Sequence, residues 1–202
     1  MSQNYLRIQT EYLEKAWARP SAELEAALPA KLNDDRYQFR PLGEECLLSK
    51  DGTTLSGALA TGPEGLSIAM YAGSVLNLPV RLQPLKAFKE MPDSMPYHGA
   101  FHANAERIFI PHVISLQTLQ EEIVSRFSGH INPDAPSGDF SFTLFPLPRI
   151  PLYYIFNLPD DEFPASATCQ FADNAIDFMP LAGLADLAEY TARRIITVAG
   201  VK

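Results

Sequence analysis

Cysteine is scarce in this sequence, and its scarcity excludes some metal centres. Among 202 residues only Cys46 and Cys169 are cysteines. Two thiolates cannot supply the four sulfur ligands of an iron–sulfur cluster or of an all-cysteine zinc site, so we expect no iron–sulfur cluster in this chain. Because the two cysteines lie far apart in a compartment that we expect to be reducing, the sequence predicts two free thiols.

Basic residues are also few, which argues against nucleic acid as a partner. The chain has 16 lysines and arginines against 24 aspartates and glutamates, a formal net charge of -8. A negative field repels phosphate backbones. The adjacent Arg193 and Arg194 are an isolated pair and do not form the basic stripe that a nucleic-acid-binding surface needs.

Long apolar runs are missing as well. No stretch approaches the roughly 18 consecutive apolar residues of a membrane-spanning helix. Residues 1–17 alternate polar and apolar side chains and lack the apolar centre of a signal peptide. The sequence therefore predicts a cytoplasmic protein without a membrane partner.

The common catalytic motifs are absent too. There is no G-x-S-x-G, G-x-G-x-x-G or phosphate-binding P-loop, and neither cysteine is flanked by an activating basic residue. Gly62-Pro63-Glu64-Gly65 fits the start of a helix better than an anion site. From the sequence alone, whether the protein is an enzyme stays open.

What is present is the composition of a globular protein, with 47% hydrophobic and 20% charged residues. A chain of this length fits one domain, which we place over residues 1–202, with a helical N-terminal segment to about residue 30. The 17 prolines are concentrated between Pro79 and Pro164. We therefore expect a Pro-rich middle segment of short, irregular elements.

Apolar periodicity predicts both helices and strands. Three- and four-residue steps predict helices over residues 5–17, 21–28, 64–78, 115–127 and 184–197. Ser21 and Ser115 are the expected N-caps of two of them. Period-two alternation predicts strands over residues 139–145, 151–156 and 167–171, and Asp51-Gly52 fits a hairpin turn. The predicted class is α+β, a short antiparallel β meander packed with several helices.

One candidate binding site lies where the predicted meander turns. Arg149 follows a strand, and the prolines on either side hold its backbone extended. Asp161 and Glu162 lie on the next connection, and Asp139 opens the first strand. We hypothesise that Arg149 pairs with one of these acids or binds an anionic ligand, and that the carboxylates bind a cation or act as acid and base. The alternative is a solvated turn whose aspartates cap backbone N–H groups.

Two histidines form a second candidate site. His98 and His102 have the spacing of two metal ligands on one helix face, and His112 lies near enough in sequence to add a third. Surface or capping histidines are the alternative, because Pro96 and Gly99 weaken the helix that the metal site requires.

Aromatic residues of the middle segment suggest an apolar pocket. Phe88, Tyr97, Phe101 and Phe109 would line it, the meander would form its floor, and Arg149 would orient an anionic group of the ligand. This hypothesis describes a ligand-binding or accessory module. The second hypothesis is a carboxylate- or metal-assisted enzyme that uses the acidic turn and the nearby histidines, and the sequence alone does not decide between them.

Several segments resemble one uncharacterised bacterial and archaeal family, domain of unknown function 3786. The resemblance covers about residues 36–197. It rests on a PRIP run (148–151), a DEFPA turn (161–165) and the later Phe171, Asp173 and Pro180, together with GDFSF (138–142) and FKEMPDSMPYHGAF. The chain departs from the family pattern at Asp160 and Gln170 and by an inserted Ala172.

The resemblance implies little about activity, because the family has no assigned reaction. Some members look like fusions to iron–sulfur domains of the type found with corrinoid proteins of anaerobes. This context implies an iron–sulfur or corrinoid protein as a partner in anaerobic metabolism. It also makes a corrinoid a candidate cofactor, whereas a divalent metal is a candidate only through the acidic turn and the histidines described above.

Overall fold

The computed structural model describes residues 2–133 and 138–200. The ends of the expected domain, Met1 and residues 201–202, lie outside this part, as do residues 134–137. The helices are α1 (Ser2–Trp17), α2 (Ser21–Ala27), α3 (Pro63–Ser74), α4 (Met95–Phe101), α5 (Val113–Thr118), α6 (Gln120–Arg126) and α7 (Leu181–Val198). A π-helical turn (His102–Glu106) and a 3₁₀ segment (Arg107–His112) connect α4 to α5.

The strands form two five-stranded antiparallel sheets. The first sheet is a meander in chain order, made of β1 (Lys31–Asn33), β2 (Arg36–Phe39), β3 (Cys46–Ser49), β4 (Gly52–Leu55) and β5 (Ala58–Leu59). The second has the order β6-β10-β9-β8-β7, made of β6 (Lys86–Ala87), β7 (His130–Ile131), β8 (Phe140–Leu147), β9 (Ile150–Asn157) and β10 (Ser166–Phe171). This arrangement confirms the predicted α+β class.

The long strands of the second sheet are the predicted meander. Alternation places Phe142, Tyr154 and Cys169 side by side on one face, where all three are fully buried. Phe109 of the 3₁₀ segment packs edge-on against Tyr154 at a ring-centre distance of 5.5 Å. The core of the second sheet therefore lies on this face.

The first sheet was largely missed by the sequence prediction, which found only its hairpin. Ser49 pairs with Gly52, so the turn is formed by Lys50 and Asp51, one residue before the predicted Asp51-Gly52. The strands of this sheet have two to four residues each. Strands this short contain too few alternating positions to show a period.

Two predicted helices end or break early. Helix α3 stops at Ser74 and not at residue 78, because the N–H of Leu76 donates to the carbonyl of Asp177 (3.3 Å). The helix predicted over residues 115–127 is α5 and α6, which meet at a non-helical Leu119. Its predicted cap, Ser115, lies inside α5.

Helix α2 also begins differently from the prediction. Pro20 occupies its N-cap position, and Ser21 is already helical with no side-chain cap bond. Proline can take this place because the first N–H groups of a helix have no intrahelical partner.

Helix α3 is enclosed by its neighbours, since every residue from Gly65 to Ala72 is buried. A Cβ added at Gly73 would lie 2.5 Å from the carbonyl oxygen of Tyr12, so glycine permits the close contact between α3 and α1. Within the described residues, no helix has the length and apolar character needed to span a bilayer.

Candidate functional site

A cleft of about 540 Å³ lies along one edge of β10. We call it the edge cleft. Three segments line it: residues 87–90, residues 98–106 of α4 and the π-helical turn (through His98, Phe101, His102 and Glu106), and Ser166, Ala167, Thr168 and Gln170 of β10. Its volume falls within the range of small-molecule binding sites, roughly 300 to 1,000 Å³.

The edge cleft exists because β6 is short. This strand pairs only with Gln170 and Phe171, so β10 from Ser166 to Cys169 has no strand partner on that side among the described residues. The N–H of Cys169 donates instead to Oε1 of Glu106 (3.0 Å). A carboxylate thus takes the place of a neighbouring strand.

Glu106 also holds His102. Its second oxygen, Oε2, lies 2.7 Å from Nδ1 of His102, and the glutamate is only 9% exposed. An ionised carboxylate only accepts hydrogen bonds, so the hydrogen of this bond lies on Nδ1. In the neutral imidazole, the other ring nitrogen, Nε2, is then an acceptor.

The π-helical turn carries both members of this pair. His102 is its first residue and Glu106 its last. Single π-helical turns inserted in helical segments are frequent at functional sites. Here the turn follows directly on α4, which continues the row of cleft-lining side chains back to His98.

His98 and His102 come together as predicted, with ring centres 6.2 Å apart. The Nδ1 atom of His98 is buried without a hydrogen-bond partner among the described residues. In this part of the chain, however, no three His, Cys, Asp or Glu side chains are placed to hold a metal. The three-histidine site with His112 is therefore not formed, and His112 does not line the edge cleft.

Only part of the predicted aromatic pocket lines the edge cleft. Phe88 and Phe101 do so, stacked with ring centres 4.2 Å apart and planes 6° from parallel. Tyr97 is 45% exposed and lies outside it. Phe109 is buried in the core against Tyr154 and Phe156. The prediction was wrong for these two residues, because burial depends on the π-helical and 3₁₀ turns that the sequence did not indicate.

Arg149 lies away from the edge cleft. Its guanidinium donates to the carbonyls of Ala27 (2.7 Å), Ala26 (2.8 Å) and Leu78 (2.7 Å) and to Oδ1 of Asn77 (3.1 Å). The predicted pairing with Asp161 or Glu162 is wrong. The reason is that the open carbonyls at the end of α2 lie next to Arg149 in space and accept its hydrogen bonds.

The acidic turn is a solvated, self-capped turn, which was the alternative interpretation. Oδ1 of Asp160 accepts the N–H groups of Glu162 (2.8 Å) and Phe163 (2.6 Å). Asp161 and Glu162 are exposed. Asp139 closes the opposite strand end, because its Oδ2 accepts the N–H of Leu158 (2.6 Å).

Asp173 has a structural role after β10. Its carboxylate pairs with Lys86 (2.6 Å) and Arg81 (3.1 Å), and these hydrogen bonds lower the pKa of Asp173. The next residue, the buried Asn174, accepts the N–H of Arg81 (2.8 Å) and donates to the carbonyl of Pro79 (3.2 Å). Together Asp173 and Asn174 bind residues 79, 81 and 86, and so hold the segment that leads into β6 and the edge cleft.

The Asp173 ion pairs should make stability depend on pH in the acid range. Because the folded pKa lies below the ordinary 3.8, their contribution is complete above that value and is lost as the pH falls through the lower folded pKa. We expect Asp173→Asn to unfold at lower urea than the wild type at neutral pH, and the difference to vanish in strong acid. A difference between the two urea midpoints that stayed constant with pH would contradict these pairs.

Both cysteines are buried free thiols, as predicted. Burial raises the pKa of Cys46 to about 12 and that of Cys169 well above its ordinary value. Each thiol is therefore protonated at neutral pH and packs as a small apolar group.

The sequence analysis missed Glu106, the residue that fixes His102. A signal was present, because His98, His102 and Glu106 follow each other at four-residue steps. Lys89, Glu90 and Thr168 gave no such signal, since Lys89 and Glu90 lie before α4 at no helical spacing from His98, and Thr168 lies more than 60 residues after Glu106.

Comparison with known protein families gives a match over most of the chain. The family model described as "Domain of unknown function (DUF3786)" matches residues 21–194. The match begins in α2, earlier than the residue 36 expected from the motifs. No curated protein and no solved structure matches the chain.

Proposed function

Because the chain belongs to the DUF3786 family, which brings no assigned reaction with it, we propose from the geometry that it is a ligand-binding module. The edge cleft is its binding site. The observation that carries the proposal is the row His98, His102 and Glu106, which faces an open cleft of about 540 Å³ opposite a free strand edge.

The ligand class follows from the hydrogen-bonding groups of the edge cleft. The neutral imidazole of His102 offers Nε2 as a hydrogen-bond acceptor, because its Nδ1–H is donated to Glu106. The lining contains one lysine (Lys89) and two glutamates (Glu90 and Glu106), so its formal charge is -1 when the imidazoles are neutral. These features favour a small neutral or cationic molecule with hydroxyl or amino donors. The stacked Phe88 and Phe101 offer an apolar wall for its carbon skeleton.

The size of the edge cleft limits which cofactor this chain can bind by itself. A site of this volume encloses a drug-sized molecule and not a whole corrinoid with its nucleotide tail. In our proposal a corrinoid or an iron–sulfur cluster belongs to a partner protein of anaerobic metabolism, and this chain acts beside it in the cytoplasm. The two buried free thiols fit a reducing compartment.

Variants of the His102–Glu106 pair test the proposal. In Glu106→Gln the amide oxygen keeps the N–H of Cys169, so the amide N–H₂ faces Nδ1 of His102. The hydrogen of the neutral ring then moves to Nε2, which turns the ligand acceptor into a donor. We expect whichever of ethanolamine, glucosamine or glycerol stabilises the wild type to bind Glu106→Gln and His102→Ala about tenfold more weakly or worse, a loss of about 1.4 kcal/mol. Thermal-shift titration measures this.

The matched control is His112→Ala, which removes a histidine outside the edge cleft and should leave the affinity within about twofold of the wild type. Titrations with cobalamin, flavin mononucleotide, haem and carboxylates complete the screen. If ethanolamine, glucosamine and glycerol all failed to stabilise the wild type, or if all variants bound equally, the edge cleft would not be the ligand site.

The same pair favours a second candidate function, proton transfer. A buried carboxylate that orients an imidazole through Nδ1 is the arrangement of a general base, with Nε2 free to take a proton from a ligand hydroxyl. If a bound compound is converted, Glu106→Gln should slow the turnover at saturating compound. Binding without turnover in the wild type would leave the module as a binding protein.

A further inference from the structure

A second cleft, of about 600 Å³, lies between the two sheets. We call it the intersheet cleft. Its lining comes from both sheets: Lys31, Phe39 and Arg40 lie on or next to β1 and β2, and Phe145 and Pro148 lie on or next to β8. Ser128, just after α6, closes a third side.

The intersheet cleft has an apolar floor and a basic mouth. Phe39 is buried and Phe145 half-buried, whereas the charged ends of Lys31 and Arg40 are exposed. Arg40 reaches Glu45 at 3.3 Å. Two cations against this one carboxylate leave a formal charge of +1 in the lining of a protein whose net charge is -8.

Arg149 sets the distance between the two walls. It adjoins Pro148 in the chain and donates to the carbonyls of Ala26 and Ala27 at the end of α2, just before Pro29, which lines the opposite wall. The Arg149 guanidinium does not line the intersheet cleft. It is a positioning residue that holds α2 against the second sheet.

We propose that the intersheet cleft binds a small amphipathic anion, an aromatic or aliphatic carboxylate. The apolar body of the ligand lies against Phe39 and Phe145, and its carboxylate accepts hydrogen bonds from Lys31 and Arg40. This chemistry is opposite in charge to that of the edge cleft, so the two sites take different ligands.

Phenylpropionate is the probe, and amide-resolved NMR titration is the measurement. We expect saturable shifts of amides lining the intersheet cleft, and binding weakened about tenfold or more in Lys31→Glu and in Arg40→Glu. Lys50→Glu makes the same charge change on the exposed turn between β3 and β4, which does not line the cleft, and should weaken binding less than about twofold. Phenylpropionamide, which lacks the charge, should also bind at least about tenfold more weakly.

Three results would overturn the proposal: no saturable shifts, equal weakening in Lys50→Glu, or shifts confined to the edge cleft. Lys31 is exposed, and its side chain has no hydrogen bond or ion pair within the described residues, so its variant should fold even if Arg40→Glu disturbs the neighbouring Glu45. If the Lys31 or Arg40 variant loses phenylpropionate binding and still binds ethanolamine or glucosamine like the wild type, the two clefts are separate sites.

Discussion

Arg149→Ala should lower the free energy of unfolding by about 3 kcal/mol. The guanidinium makes four hydrogen bonds to oxygens of residues 26, 27, 77 and 78. Hydrogen bonds from a charged donor contribute roughly 1.5 to 3 kcal/mol each, and the partial exposure of this group reduces the sum. Removal also leaves carbonyls at the end of α2 without a donor.

Urea unfolding of the variant measures this loss. Arg149→Lys keeps the charge but not the planar fork, so it should recover less than half of the difference. Arg36→Ala removes an exposed arginine and should stay within about 0.5 kcal/mol of the wild type. A loss below about 1 kcal/mol for Arg149→Ala would mean that these hydrogen bonds do not fasten α2 to the second sheet.

The sequence indicated neither the backbone of Arg149 nor what it binds. The flanking prolines act locally, through φ, and predicted an extended backbone. Instead, Pro148 and Arg149 form the two-residue turn that joins Leu147 of β8 to its partner Ile150 of β9. The acceptors of Arg149 are distant: Ala27 lies 122 residues away in the chain. The nearby acids Asp161 and Glu162 were the obvious partners, yet their turn is satisfied by its own Asp160.

The same division between local and distant effects explains the fold predictions. The alternating side chains of β8, β9 and β10 are a property of each strand, so the second meander was predicted almost to its ends. The early end of α3 goes with a contact to a distant segment, the hydrogen bond from Leu76 to Asp177. The edge cleft depends on the shortness of β6, a two-residue strand without a readable period.

Phe156→Ala should cause a still larger loss of stability, about 3 to 5 kcal/mol. Its fully buried ring lies among four others, at ring-centre distances of 4.7 Å from Phe140, 5.2 Å from Phe142, 5.6 Å from Phe109 and 6.2 Å from Tyr154. Truncation removes apolar burial, aromatic pairing and packing at once, and the neighbouring strands and the 3₁₀ segment cannot all collapse into the space.

Two variants separate these contributions in the same urea experiment. Phe156→Leu keeps most of the volume and loses the ring, so it should cost about 1 to 2 kcal/mol. Phe163→Ala removes a phenylalanine that is 66% exposed and should cost less than about 0.5 kcal/mol. Phe156 pairs with Ala167 of β10, which lines the edge cleft. Because leucine keeps most of the volume that supports this strand, the leucine variant should also keep ligand affinity. A cost for Phe156→Ala no greater than that for Phe163→Ala would contradict the aromatic cluster as the centre of the core.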